Sequence, residues 1–133
     1  MNKRFGFTLV EIMIVVAIIA LLAAIAVPGL LRARLNSQDS VAKETLKVYS
    51  TALENYAAAR GAYPDSLGEL HIPNPPYIDI VRFNGAVHSG YIYHDDSVGP
   101  GGYEIRATPL VCGKTGTKVF IVTTGSNFNQ TDC

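Results

Sequence analysis

The chain has 133 residues, of which 48% are hydrophobic and 17% charged, with 11 basic and 11 acidic side chains. This length suits one domain with a single core, and the composition excludes a chain that is disordered throughout. Because the charges balance, the composition also argues against a protein that attracts nucleic acid over its whole surface.

An apolar segment covers residues 7–31 and is interrupted only by Thr8, Glu11, Pro28 and Gly29. A helix of about 20 apolar residues is long enough to span a membrane. Lys3 and Arg4 precede this segment, so the positive-inside rule predicts a cytoplasmic N-terminus and export of the remaining chain.

Three interpretations of this segment compete. It could be a plain signal anchor, or a secretory signal peptide that is cut after Ala24-Ile25-Ala26. It could also be a prepilin signal, which is cut before the apolar run rather than after it. The third interpretation places the cut between Gly6 and Phe7.

Glu11 favours the third interpretation. A carboxylate within a membrane segment costs about 2.5 kcal/mol or more at the bilayer centre, and less near the end of the segment. A cut before Phe7 would create an amine four residues before Glu11, on roughly the same helical face. In a stack of parallel helices, the amine of one subunit could pair with Glu11 of its neighbour and set the register.

The run GFTLVE at residues 6–11, followed by IMIVVAIIALLAAIAVPG, resembles the class III signal of type IV pilins and type II secretion pseudopilins. The resemblance implies that a dedicated peptidase cuts after Gly6 and methylates Phe7. It also implies assembly roles for Thr8, Glu11 and Pro28, with Pro28 at the family's helix-kinking position.

The same resemblance implies a helical filament of identical subunits, which is built on an inner-membrane assembly platform after processing by the prepilin peptidase and methylase. The subunit would be a single-pass inner-membrane protein before assembly and part of an extracellular pilus afterwards. The expected domains are a leader at residues 1–6, a membrane and assembly helix at 7–31, and an amphipathic helix with a globular head at 32–133.

The helical pattern continues from residue 30 to residue 60, without proline or internal glycine. Pro28 and Gly29 are expected to bend or locally melt the helix near residues 24–28, as a simple boundary or as a hinge. An Asp39–Lys43 ion pair is expected from the i,i+4 spacing. Gly61 is expected to cap the helix.

At 100° per residue, the helix is amphipathic. The expected core face holds Val41, Tyr49, Ala52, Leu53, Tyr56 and Ala59. The expected polar face holds Lys43, Glu44, Lys47, Ser50, Thr51, Glu54 and Asn55. Tyr49, Tyr56 and Tyr63 recur every seven residues, which favours a core face over an aromatic track for electron transfer.

The predicted fold class is α+β, with a long N-terminal helix packed on a small antiparallel sheet. A loop at residues 62–76 is expected to hold one helical turn at 66–70. Strands are predicted at 91–93, 103–107 and 118–123, with a weaker candidate at 77–83. Residues 95–102 and 113–116 are expected to connect neighbouring strands in a meander.

Cys112 and Cys133 lie in the exported part, where two cysteines predict one disulfide. The alternative, two free thiols or a metal pair, lacks further ligands. Residues 126–132 are rich in oxygen atoms, but Asp132 is their one carboxylate. A plain polar loop is therefore favoured over a calcium site.

His71, His88 and His94 are scattered, and the sequence carries none of the common catalytic or phosphate-binding motifs. The sequence therefore predicts no enzyme, no cofactor and no nucleic-acid partner. The expected function is that of a structural subunit in an extracellular type IV pilus-like filament. The alternatives are a type II secretion pseudopilin, or an exported monomeric binding module with a cleaved signal peptide.

Overall fold

The computed structural model describes residues 6–79 and 84–133. It has one long helix, α1, at Leu9–Arg60, and a short 3-10 helix at Leu67–Leu70. Five strands follow: β1 (Ala86–His88), β2 (Tyr91–Gly99), β3 (Gly102–Pro109), β4 (Lys118–Thr123) and β5 (Asn127–Asp132). The predicted α+β class is confirmed.

The chain divides after Arg34 into an N-terminal unit and a head unit, Leu35–Cys133. In the N-terminal unit, α1 is exposed along its length, and its most apolar 18-residue window has a mean hydropathy of 3.0. This part of α1 is long and apolar enough to cross a membrane. Most of the expected leader, residues 1–5, lies outside the described residues.

The helix continues through Pro28, so the local melting expected at residues 24–28 is not found. Proline removes one intrahelical hydrogen bond and clashes with the preceding turn. Good helix formers, mainly alanine, leucine and isoleucine, flank this position on the N-terminal side, and helix propagation is cooperative. The hydrogen bonds of the neighbouring turns therefore keep the segment helical.

Within the head unit, one face of α1 is buried. Its members are Ala42, Leu46, Tyr49, Ser50, Ala52, Leu53 and Tyr56. The expected core face is thus confirmed at four positions, while Ala59 is exposed and Val41 is half-buried. Ser50 was expected on the polar face. It is instead buried, and its hydroxyl group hydrogen-bonds to the hydroxyl groups of Tyr103 and Ser126.

The end of α1 follows the sequence prediction. Gly61 has a φ of 81° and donates its N–H to the carbonyl of Ala57 at 2.8 Å. Glycine adopts this left-handed conformation without a steric penalty, so it stops the helix while satisfying one of its last carbonyl groups.

The five strands form one antiparallel sheet in the order β1-β2-β3-β4-β5, which confirms the predicted meander. β4 matches its predicted bounds, whereas β2 and β3 are longer than expected. β2 runs on to Gly99 through an irregularity between Asp95 and Ser97, so the connection to β3 is shorter than predicted.

Two strands were not predicted. β1 has only three residues, and β5 (Asn127–Asp132) was expected to be a polar loop. Asparagine and aspartate are poor strand formers, but β5 pairs with β4 over its whole length. The candidate strand at 77–83 is not found at residues 77–79, and its residues 80–83 lie outside the described residues.

Tyrosine side chains make up much of the head core. Tyr49 and Tyr56 of α1 are buried together with Tyr91, Tyr93 and Tyr103 of the sheet. A buried tyrosine needs a hydrogen-bond partner for its hydroxyl group. The Tyr56 hydroxyl, for example, donates to Glu69 at 2.8 Å. The core role predicted for Tyr49 and Tyr56 is confirmed.

A disulfide joins Cys112 to Cys133, as predicted, with 6.0 Å between the two Cα atoms. The bond closes a covalent ring of residues 112–133, which contains both β4 and β5. It also holds the end of β5 against the connection between β3 and β4, where the Cys133 N–H donates to the Thr117 carbonyl at 3.2 Å.

Replacing both cysteines by serine is expected to lower the free energy of unfolding by about 3 kcal/mol, because the unfolded chain regains the freedom of a ring of roughly 20 residues. Thermal unfolding of the protein in detergent micelles would measure the loss. Hydrogen exchange should rise in β5 and stay nearly unchanged in α1. A reductant should raise hydrogen exchange in β5 of the wild type and leave that of the double variant unaltered. Equal hydrogen exchange in wild-type β5 with and without reductant would contradict the prediction.

Candidate functional site

The first turn of α1 brings Thr8 and Glu11 together. Thr8 directly precedes the first helical residue and is therefore the N-cap. Its hydroxyl oxygen accepts the N–H of Glu11 at 3.2 Å, while its own N–H and hydroxyl both point to Glu11 Oε2 at 3.3 Å. This reciprocal pattern is a capping box, which satisfies N–H groups that the helix itself leaves unpaired.

The sequence signal for this capping box is T-x-x-E before an apolar run, a feature that is not among the predictions above. It gives Glu11 a role within its own chain. Its carboxylate also lies at the positive end of the helix dipole, which favours a negative charge. Both hydrogen bonds from Thr8 go to Oε2. Among the described residues, no hydrogen bond reaches the other carboxylate oxygen, Oε1, which can therefore accept a further donor.

The other residues that the sequence predicts for processing and assembly lie as follows. Gly6 and Phe7 are exposed and lie before the helix begins. Pro28 lies 17 residues after Glu11, which is about 26 Å along an α-helix, so it does not contribute to the capping box. Cys112 and Cys133 belong to the head unit.

In the head unit, Asp39 attaches α1 to the disulfide-closed ring. Its carboxylate accepts the Tyr91 hydroxyl at 2.7 Å, the Thr117 N–H at 3.0 Å and the Thr117 hydroxyl at 2.5 Å. Burial is the larger cause of a raised pKa of the Tyr91 hydroxyl group, and its hydrogen bond to Asp39 is the next. The expected Asp39–Lys43 ion pair is replaced by these contacts, and the Lys43 ammonium lies 5.4 Å from the centre of the Phe128 ring.

Glu54 makes a second attachment, fifteen residues further along α1. It accepts the hydroxyl of Tyr63 at 3.0 Å, the hydroxyl of Tyr103 at 2.9 Å and the N–H of Gly125 at 2.9 Å. Ser50 adds to it, with its hydroxyl 3.0 Å from that of Tyr103. The sequence predicts Glu54 and Ser50 on the polar face, and no local sequence pattern indicates their hydrogen-bond partners.

Gly116 is required by the Asp39 attachment. A Cβ atom at this position would overlap the hydroxyl of Tyr91 and would lie 2.5 Å from its ring carbon Cζ. Tyr91 is completely buried, so it has little room to move.

Gly116→Ala is therefore expected to destabilise the head by about 1–3 kcal/mol, as overpacking of a filled core does. Thermal unfolding followed by near-ultraviolet circular dichroism would report the loss through the tyrosines. Gly101→Ala is the matched control, because a Cβ atom there meets nothing within 4 Å. Equal stability of the two variants would show that Tyr91 is not held as described.

The described residues, 6–79 and 84–133, hold no group of three or more histidine, cysteine, aspartate or glutamate side chains placed to bind a metal ion. The conspicuous polar contacts, at Asp39 and Glu54, are made to the chain itself. They attach α1 to the sheet and leave the first turn of α1 as the candidate functional site.

Comparison with known proteins supports this choice of site. Residues 1–27 match the family model of the prokaryotic N-terminal methylation motif. The chain is 45% identical over 68 residues to the type IV major pilin protein PilA of Myxococcus xanthus, covering 51% of this chain and 31% of that protein. It is 41% identical over 65 residues to the type II secretion system core protein G of Pseudomonas aeruginosa, covering 49% and 46%.

A third relative is the type IV wide pilus major component PilA4 of Thermus thermophilus, which is 39% identical over 70 residues, covering 53% of each chain. The chain thus spans between about a third and a half of the length of these curated relatives. The chain thus carries an N-terminal methylation motif and is similar over about half of its length to two type IV pilus proteins and a type II secretion core protein.

Proposed function

We propose that this protein is a structural subunit of an extracellular type IV pilus-like filament, assembled through α1. The observation that carries the proposal is the capped start of an exposed apolar helix, with Thr8 and Glu11 placed directly after the Gly6–Phe7 junction. An exposed apolar helix of this length needs a bilayer or other helices around it.

Processing would occur between Gly6 and Phe7, with release of the leader at residues 1–6 and methylation of Phe7. The junction is non-helical and exposed, whereas the N-cap fixes the helix start at Leu9. A peptidase therefore finds an accessible backbone at the junction without having to unwind the helix. The cut would leave a new amine at Phe7, one residue before the N-cap.

Assembly would pair this amine with the carboxylate of Glu11. Since Thr8 uses only Oε2, the Oε1 atom can accept the amine of the same subunit or of a neighbour. A pairing of opposite charges offsets part of the cost of holding them in an apolar surrounding, whereas either charge alone would be left uncompensated. It also fixes how far one helix is displaced along the next.

Before assembly, residues 7–31 would span the inner membrane with the N-terminus in the cytoplasm, because Lys3 and Arg4 precede the apolar run. The remaining residues, 32–133, would form the exported part. The prepilin peptidase and methylase and an assembly platform in the same membrane would be the partners of this stage.

A pseudopilin of type II secretion is the second candidate, favoured by the match to the core protein G of Pseudomonas aeruginosa. The first turn of α1 would act in the same way in either filament. Isolation of the native filament separates the two, since a pilus is found free outside the cell and a pseudopilus is found with the secretion apparatus.

The test is the intact mass and N-terminal residue of the mature protein from its native host. A chain that begins with methylated Phe7 supports the proposal. A chain that begins at Val27, after a conventional signal peptidase cut, would lack the capping box and most of the apolar helix. That result would overturn the proposal in favour of an exported monomeric binding module.

A further inference from the structure

Two arginines, Arg32 and Arg34, follow the apolar part of α1. Both are exposed, and both lie within the uninterrupted helix, directly after Leu31. The capping box at Thr8 and Glu11 lies at the other end of the same apolar stretch.

The distance between these ends matches a bilayer. Leu9 to Leu31 is 23 helical residues, which is about 34 Å at 1.5 Å per residue. The hydrocarbon core of a bilayer is about 30 Å thick. If α1 spans the membrane, as the proposed function requires, then Arg32 and Arg34 reach the headgroup layer on the exit side while Glu11 stays near the entry side.

Neither arginine has an acidic partner within reach on its own helix. The positions three and four residues away are filled by neutral side chains: Pro28, Gly29, Leu35 and Asn36 around Arg32, and Leu30, Leu31, Ser37 and Gln38 around Arg34. The next carboxylate along α1, that of Asp39, is occupied by Tyr91 and Thr117. Among residues 6–79 and 84–133, neither guanidinium group forms an ion pair, so both can bind an outside anion.

The arrangement of the two arginines indicates what this anion is. Residues two apart on an α-helix point about 200° apart, so Arg32 and Arg34 face nearly opposite sides of α1. One small anion or one protein groove could reach only one of them. A headgroup layer surrounds the helix and reaches both, and a guanidinium group binds phosphate oxygens in pairs.

We propose that Arg32 and Arg34 form a cationic collar, which binds the phosphate groups of anionic phospholipids in the exit leaflet while the subunit is held in the membrane. Apolar burial anchors the helix in the membrane without distinguishing between lipid headgroups, and the collar adds a preference for anionic ones.

The test uses the full chain reconstituted in bilayers that mix phosphatidylglycerol and phosphatidylcholine. Electron spin resonance of spin-labelled lipids measures which lipid the helix immobilises. Wild type is expected to favour labelled phosphatidylglycerol by about fivefold, since a basic residue near an anionic surface contributes about 1 kcal/mol and each lipid contacts one of the two arginines. Lys3 and Arg4 contribute at the opposite leaflet, so the decisive quantity is the difference from Arg32→Gln/Arg34→Gln.

That double variant is expected to lose at least half of the selectivity. Lys47→Gln/Lys114→Gln removes the same charge from exposed positions of the head unit, and it should retain the wild-type value. Unchanged selectivity in the arginine variant, or an equal loss in the lysine control, would overturn the collar. If wild type immobilises no lipid at all, α1 does not insert, and the proposed function falls together with the collar.

Discussion

Replacement of Glu11 by alanine is expected to stop filament assembly and to leave the protein in the membrane. Without the carboxylate, the Phe7 amine would have no partner of opposite charge at an apolar subunit contact. An unpaired charge of this kind costs about 2.5 kcal/mol at the membrane centre and less near the end of the segment, so each contact is expected to lose up to about 60-fold in its equilibrium constant. Filament yield, measured by shearing and electron microscopy, should fall accordingly.

The capping box makes a sharper experiment possible. Glu11→Gln keeps a side-chain oxygen that can accept from Thr8, so the helix start is preserved while the charge is lost. If charge pairing drives assembly, the glutamine variant should fail as the alanine variant does. If it assembles at wild-type yield, the helix cap is what matters and the pairing argument is wrong. Glu44→Ala, at an exposed glutamate of the same helix, is the control.

Asp39→Ala is expected to destabilise the head unit strongly. It removes the acceptor of three hydrogen bonds and leaves the hydroxyl of the buried Tyr91 and the N–H of Thr117 without this partner. Removing a charged acceptor from such donors costs about 3 kcal/mol. The unfolding temperature in detergent micelles should fall by about 12 °C or more.

Two further variants make this prediction specific. Asp39→Asn retains one carbonyl oxygen and should lose about half as much stability, because a single oxygen cannot serve all three donors. Asp65→Ala removes an exposed carboxylate and should be nearly neutral. Similar unfolding temperatures for Asp39→Ala and Asp65→Ala would mean that the Asp39 contacts contribute little to stability.

The parts of the fold that the sequence predicts well are those with strong local signals. The apolar run, the end of α1 at Gly61 and the strand at 118–123 each depend on residues close together in the chain. The disulfide could be predicted because only one pair of cysteines exists. The capping box is equally local, since the pattern T-x-x-E at the start of the apolar run specifies it.

The missed features depend on partners that lie far apart in sequence. β5 has an unfavourable composition and forms because β4 pairs with it. Asp39 and Glu54 look like solvent-facing charges on a helical wheel, yet their acceptor atoms meet donors 71 to 78 residues away in Gly125 and Thr117. No single-sequence pattern specifies such distant pairs, whereas burial of the same helix face could be deduced from its period.

The two attachments of α1 also determine how the head would carry a pulling force. Asp39 and Glu54 are about 22 Å apart along the helix, and each holds a backbone N–H of the covalent ring closed by Cys112 and Cys133. A pulling force that is transmitted to the head through α1 is therefore shared by the two attachments, which both hold the same disulfide-closed ring. Because the disulfide closes the ring, β4 and β5 cannot separate one after the other from a free end. Under force, the head should therefore unfold when both attachments break together.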